Sequence, residues 1–271
     1  MLRKDDGWRI PDELWTKLEP LLPPRPEHPL GCHNPRVPDR SAMDAILLVL
    51  RTGMQWQALK ATGICHPSSA YRRFREWLEA GVFHEFWRLR LMAYDQLVGI
   101  DWRWLCLDGA QGKARWAGKK TGPNPTDRAK CGTKRSLLTD SRGVPLGLAV
   151  AGANTNDFKL VQQTFDSVPV PRPPPADGRR QHWCVDAGYD YEPVRRWADK
   201  FGFTLHVRRI RQKRKQSTRK KPRRWVVERS HSFLHRFRRL LVRWEKREDT
   251  YLAMLHLAMG IITWFHSLLP K

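Results

Sequence analysis

Three acidic residues stand where a fold would have to hold them firmly. Asp108 closes the apolar run Trp104-Leu105-Cys106-Leu107 and is followed by Gly109-Ala110. Asp186 closes Trp183-Cys184-Val185 and is followed by Ala187-Gly188. Glu228 lies in Arg223-Arg224-Trp225-Val226-Val227-Glu228, which opens a long amphipathic pattern. A lone Asp-Gly reads as a turn. Two aspartates at strand ends and a helical glutamate, in a chain of net charge +23, point instead to carboxylates holding divalent cations that act on a phosphodiester.

The bulk composition supports that direction. The 271 residues suffice for one large domain or two ordinary ones. A hydrophobic fraction of 41% with 13 tryptophans supplies a core, which excludes general disorder. Fifty Lys and Arg against 27 Asp and Glu imply a polyanionic partner, foremost nucleic acid gripped through its phosphates. An anionic membrane surface is the competing partner. The N-terminus shows charge with no apolar core after it, so no signal peptide is expected. Tyr251 to Leu269 approaches the length of a membrane span, but His256, Thr263 and His266 interrupt it and a buried core helix is expected. The five cysteines, Cys32, Cys65, Cys106, Cys131 and Cys184, are odd in number and form no Cys-x-x-Cys pair. Cys32-His33 and Cys65-His66 fit a zinc tetrahedron poorly, because adjacent residues rarely reach one ion together. A reduced, intracellular protein is expected.

Two regions must position the acids. Residues 11–100 read as helical: a helix from Pro11, a proline-rich loop from Pro23 to Pro38, a helix from Ser41 to Leu50, a short helix through Trp56 and Leu59, and another from Pro67-Ser68-Ser69. The last pair, around a turn at Thr62-Gly63, has the form of a helix-turn-helix reader whose second helix bears Arg72, Arg73 and Arg75. A simple bundle with its arginines in water fits the same residues. From Asp101 the pattern changes to a strand over Trp102 to Leu107, a basic Gly/Lys-rich loop over 110–131, and a hairpin of Lys134 to Thr139 and Val144 to Ala151 around Asp140-Ser141-Arg142-Gly143. A helix from Asp157, a strand ending at Asp186, a helix from Glu192, a strand from Phe203 and helices over 223–245 and 250–269 complete the order. That order matches an α/β, ribonuclease-H-like mixed sheet flanked by helices, preceded by an all-α helix-turn-helix-like domain: 1–100 DNA-binding, 101–271 catalytic.

Between Arg208 and Arg224, eleven of 17 residues are basic and none is acidic. The run leads directly into the helix of Glu228. There Val226, Phe233, Phe237, Leu240 and Trp244 recur at helical spacing as the expected buried stripe. At about 100° per residue, Glu228 faces away from Val226 together with Arg224, His231 and His235. That face is either a salt-bridged surface cluster or one wall of an anionic-substrate site.

Taken together, the segments resemble bacterial insertion-sequence transposases of the DDE class, the IS-five family. The resemblance rests on Arg51-Thr52-Gly53-Met54-Gln55-Trp56 and Tyr71-Arg72-Arg73-Phe74-Arg75-Glu76-Trp77 in the helical part. In the catalytic part it rests on Leu107-Asp108-Gly109, Thr133-Lys134-Arg135, Asp140 to Leu146, Ala153-Asn154-Thr155-Asn156-Asp157, Val185-Asp186-Ala187-Gly188-Tyr189-Asp190 and Arg223 to Arg229 with Phe237-Arg238-Arg239-Leu240. It implies that Asp108, Asp186 and Glu228 are catalytic and hold two Mg²⁺ ions, with Mn²⁺ as a substitute. Asp108 would bridge them. In the Tyr-Arg-Glu-Lys signature of related enzymes, Arg224 fills the arginine place, while Lys221 and His235 stand at the tyrosine and lysine places. With Lys113, Lys134 and Arg135, these complete the expected DNA contacts. The implied partners are double-stranded DNA, as terminal inverted repeats and as target, and a second copy of the chain in a synaptic homodimer. No membrane is implied, and the bacterial cytoplasm at the nucleoid is the expected location. The implied chemistry is strand cleavage by water, then strand transfer by the freed 3′-hydroxyl. A ribonuclease-H-like nuclease without strand transfer, or a non-catalytic DNA-binding regulator, would share the same residues.

Overall fold

A computed structural model describes residues 8–25, 36–174, 178–207 and 223–269. Most of the basic run, with Lys221, and the Cys32-His33 pair lie outside the described residues. The helical part consists of α1 (Asp12–Leu18), α2 (Asp39–Thr52), α3 (Pro67–Glu79) and α4 (Val82–Leu97). Trp56–Thr62 is a 3-10 segment and not an α-helix. Its Trp56 ring packs edge-on to Tyr71 at 5.2 Å and against Phe74 at 5.5 Å, and Gly63 ends it in the left-handed region at φ 67°. His66 then caps α3 by accepting from the Ser68 amide.

The sheet is built on β1 (Trp104–Ala114), β2 (Gly122–Pro123), β3 (Cys131–Thr139), β4 (Pro145–Gly152), β5 (Gln181–Cys184), β6 (Phe203–His206) and β7 (Val242–Arg243). Its order is β2-β3-β1-β5-β6, with β4 also on β3 and β7 also on β1. β3 runs antiparallel to β1 and β4, whereas β5 runs parallel to β1 and β6 parallel to β5. This is the ribonuclease-H-like mixed sheet expected. One face is covered by α5 (Val161–Asp166) and α6 (Glu192–Lys200), whose Phe165 and Trp197 pack on Trp183 and Phe203. Over the other face lie α7 (Trp225–Arg236), α8 (Arg238–Leu241) and α9 (Glu248–Leu268). One apolar core runs from Ile10 and Leu14 through α2, α3, α4 and the sheet to Ile262. α9 is a core helix: Tyr251, Met254, Leu255, Leu257, Ala258, Met259 and Ile261 are buried. Its apolar length follows from being packed between α4 and the sheet, with contact on several sides.

Two expectations about elements are corrected. The strand carrying Asp108 does not end there but continues to Ala114, because β3 supplies a ladder partner for each residue from Cys106 to Lys113. The helix carrying Glu228 does not run to residue 245. It breaks at Phe237, whose backbone is extended, and Val242-Arg243 joins β1 as β7. The buried stripe of α7 is therefore Val226, Val227, Ser230, His231 and Leu234, while Phe233 and Trp244 are half-buried.

After the break the chain is anchored by charge. Arg239 Nε donates to Glu245 Oε1 at 2.7 Å, and Arg239 Nη1 donates to the Met54 carbonyl at 3.1 Å, with both side chains under a tenth exposed. A buried pair stabilises little in net terms, but removing one partner strands the other. Glu245→Ala is expected to lower the unfolding free energy by about 3 kcal/mol in urea titrations. Adding Arg239→Met should restore most of the loss, which a purely packing role for Glu245 would not allow.

Candidate metal centre

β1 and β5 pair in register, with Trp104 opposite His182 and Cys106 opposite Cys184. Side chains two apart share a sheet face, so Trp104, Cys106 and Asp108 lie beside His182, Cys184 and Asp186. The parallel ladder stops at Cys184 while β1 continues. Asp108 and Asp186 thus each lie two residues past the last paired positions, Cys106 and Cys184. Gly188 donates its amide to Asp186 Oδ1 at 2.8 Å and orients that carboxylate. α7 closes the site from above. His231 Nε2 lies 3.3 Å from the Asp108 carbonyl and fastens the helix to β1, one turn before which Glu228 projects.

Arg224 draws the acids together. Its Nη2 stands 2.9 Å from Glu228 Oε1, and its Nη1 stands 3.6 Å from Asp186 Oδ2. Burial alone would depress this guanidinium, but Asp108, Glu228 and Asp186 together hold its pKa above the ordinary value. Asp108 is pushed up to about 6, first by burial; Arg224 offsets part of this, and Asp186 and Glu228 add to it. Three carboxyl groups and one guanidinium thus interact at this end of the sheet. Among the described residues no three His, Cys, Asp or Glu side chains are close enough to hold a metal as they stand. The donor set nevertheless fits hard cations: three carboxylates, oxygen-only, with a guanidinium standing in for the positive charge between two of them. Glu228 and Arg224 form a part-exposed ion pair at this end of α7, whereas His231 is buried against the sheet.

Several residues expected to contact DNA turn inward. Arg73 is buried and paired with Asp39 at 2.9 Å. Lys134 is buried and paired with Asp157 at 2.9 Å. Arg135 is fully buried, donating to the Leu240 carbonyl and hydrogen-bonded to His235. Burial and that guanidinium push His235 down to about 4 and leave it neutral. Burial and Arg135 likewise hold His231 at about 3. The expected common face therefore divides: His231 joins the buried stripe, His235 is half-buried against Arg135, and Glu228 is exposed. Arg72 and Lys113 are exposed, and Arg75 is half-buried with Glu79 2.7 Å away.

Asp157 and Tyr189, not among the expected site residues, pack directly behind Asp108 and Gly109. A Cβ on Gly109 would overlap the Asp157 carboxylate and come within 3.7 Å of the Tyr189 hydroxyl. Both groups are packed behind Asp108, on the opposite sheet face. The segment Asn154-Thr155-Asn156-Asp157 carried the signal, but nothing in its spacing tied it to Gly109.

The raised Asp108 pKa has a sign that can be checked. Its protonated form is favoured by folding, so its stabilising contribution is complete below the ordinary aspartate range and lost as pH rises through about 6. Asp108→Asn should raise Tm at pH 7.5 in metal-free buffer by a few degrees. The difference should vanish near pH 4, where Asp108 carries its own proton.

The sequence matches two family descriptions, "Putative transposase of IS4/5 family" over residues 10–87 and "Transposase DDE domain" over residues 96–262. A putative transposase for insertion sequence element IS402 of Burkholderia cepacia is 40% identical over 157 residues, which cover 55% of this chain and 71% of that protein. An uncharacterized 16.2 kDa protein of the same insertion element is 40% identical over 121 residues, covering 43% of this chain and 80% of that one. The solved paired-end complex of the Mos1 mariner transposase with Mn aligns over 90% of this chain and 82% of its own, at 12% identity and a TM-score of 0.28, too loose a likeness to assign a role to any residue. With these family matches spanning both the helical part and the ribonuclease-H-like sheet, the chain belongs to the DDE transposases of the IS4/5 group, the insertion-sequence enzymes that cut and transfer DNA strands.

Proposed function

We propose that Asp108, Asp186 and Glu228 hold two Mg²⁺ ions, with Mn²⁺ able to replace them, and that cleavage at terminal inverted repeats and joining to target DNA occur at this site. The observation that supports the reading is the pairing of Cys106 with Cys184, two residues before each aspartate, together with Arg224 paired to both Asp186 and Glu228. When bound, such ions activate the attacking oxygen and neutralise charge on the leaving one. The chain's own part is to keep three hard oxygen donors together on rigid elements. β1 and the turn after β5 fix the aspartates, and the His231 contact fixes the helix of Glu228. Arg224 counters the acids in the metal-free protein. Once cations compete for Asp186 and Glu228, its guanidinium is free to grip a DNA phosphate beside the reacting one.

In the same reading, residues 1–100 bind the repeats. The outward face of α3, with Ser68, Tyr71, Arg72 and Arg75, lines a groove with Trp56, Gln57 and Pro67. Ser68 and Arg72 lie near its N-terminal end, where helix-turn-helix readers contact bases. The enzyme would act as a homodimer holding two ends, at the bacterial nucleoid, without a membrane.

Each of Asp186→Asn and Glu228→Gln should lower Mg²⁺-dependent cleavage of the element ends, and joining of pre-cut ends, by about three orders of magnitude or more, while end binding persists. Full cleavage by either variant would remove that residue from the site. Arg224→Ala should tighten the apparent Mg²⁺ requirement yet slow cleavage, because the competitor for the carboxylates and the phosphate contact are lost together.

A further inference from the structure

The connection from β1 to β3 takes no part in the metal site or the α3 face. Between Lys113 and Lys130 it carries six cations and one acid, Asp127. Trp116 stands at its tip, 51% exposed, with Lys246 Nζ over the ring at 5.6 Å from its centre. An exposed aromatic on a loop is ordinary when the loop is loosely held. Here the backbone beneath it is pinned. The buried Arg243 donates to the Lys119 carbonyl at 2.7 Å and to the Lys120 carbonyl at 3.1 Å. Thr133 donates to the same Lys120 carbonyl at 3.2 Å. The amides of Arg115 and Lys119 donate to the carbonyls of Arg243 and Lys246. Lys120 is held at φ 62°, where a non-glycine residue is uncommon. The ordering cost of this loop has thus been met by folding, not deferred to binding.

We propose that Trp116 stacks on a nucleobase that has left the stack of duplex DNA, while the cations around it hold the flanking phosphates. This rests on the reading of the protein as an enzyme acting on DNA. A flat apolar face ringed by positive charge matches the two chemistries of an exposed nucleotide, a π-face and an anionic backbone. Lys113, Arg115, Lys119, Arg128 and Lys130 are all exposed, a charge pattern unsuited to an apolar protein surface. At about 3.3 Å per residue, the strand from Asp108 to Ala114 sets the loop about 20 Å from the acids, some six base steps away. An unstacked base there would let the duplex bend toward the acids.

The test compares full-length protein on two duplexes of one sequence, one fully paired and one with a single bulged 2-aminopurine, whose fluorescence falls on stacking. Wild type should bind the bulged duplex about tenfold tighter at the same salt and quench the probe. Trp116→Ala should keep its paired-duplex affinity but lose both the preference and the quenching. Trp116→Phe should retain most of each, and Arg115→Ala with Lys119→Ala should weaken both duplexes alike. Preference and quenching that survive Trp116→Ala, or are absent in wild type, overturn the proposal while leaving the metal site standing. Failure of wild type to bind either duplex would overturn the DNA reading with it.

Discussion

β1 keeps its ladder with β3 from Cys106 to Lys113, while its parallel partner β5 lets go at Cys184. One side of the central strand stays paired past Asp108 while the other does not. A carboxylate in the middle of a fully paired sheet would be buried beyond use, and one past a strand end would lack a fixed direction. Asp108 has a paired backbone on the β3 side and lies past the last paired residue on the β5 side. Its carboxyl, raised to about 6 by burial, records how far that placement has removed it from water. The shared strand also gives α7 something to dock on, through the Asp108 carbonyl itself.

The net charge of +23 has two uses. Arg135, Arg239 and Arg243 are buried and spend their donors on carbonyls or on side chains such as His235 and Glu245. Arg243 alone gathers the Lys119, Lys120 and Glu245 carbonyls. A guanidinium is suited to this role because its planar fork can satisfy several acceptors where loops cross. These residues neutralise no phosphate. The salt dependence of DNA binding should therefore reflect the exposed cations, not the formal charge.

That division explains what the sequence could and could not tell. The hairpin around Gly143, the strand before Asp186 and the start of the Glu228 helix were legible, because turn residues and apolar runs mark them locally. The extension of β1 was not: Gly109-Ala110-Gln111-Gly112 has weak strand propensity, and only the pairing with β3 makes it a strand. Nor was the break at Phe237, where helical spacing of apolar residues continues past the end of the helix. Arg73, Lys134, Arg135 and His235 were misplaced for one common reason. Sequence shows that a side chain is basic, but whether it meets phosphate or an internal carbonyl is decided by tertiary neighbours far away in the chain, such as Asp39, Asp157 and Leu240.

The glycine after Asp108 shows the same thing at closer range. An Asp-Gly pair suggests a turn, yet Gly109 lies inside a strand. What excludes a side chain there is the Asp157 carboxylate, packed where a Cβ would stand, with the Tyr189 hydroxyl beyond it. Tyr189 belongs to the turn that begins at Asp186. The space left by Gly109 lets the Asp157 carboxylate pack directly behind β1, within reach of the buried Lys134 ammonium. An alanine at position 109 would have to displace the Asp157 carboxylate, while the Tyr189 hydroxyl, 3.7 Å from such a Cβ, would stand in ordinary contact. The small residue thus belongs to the packing behind Asp108 although it carries no side chain of its own.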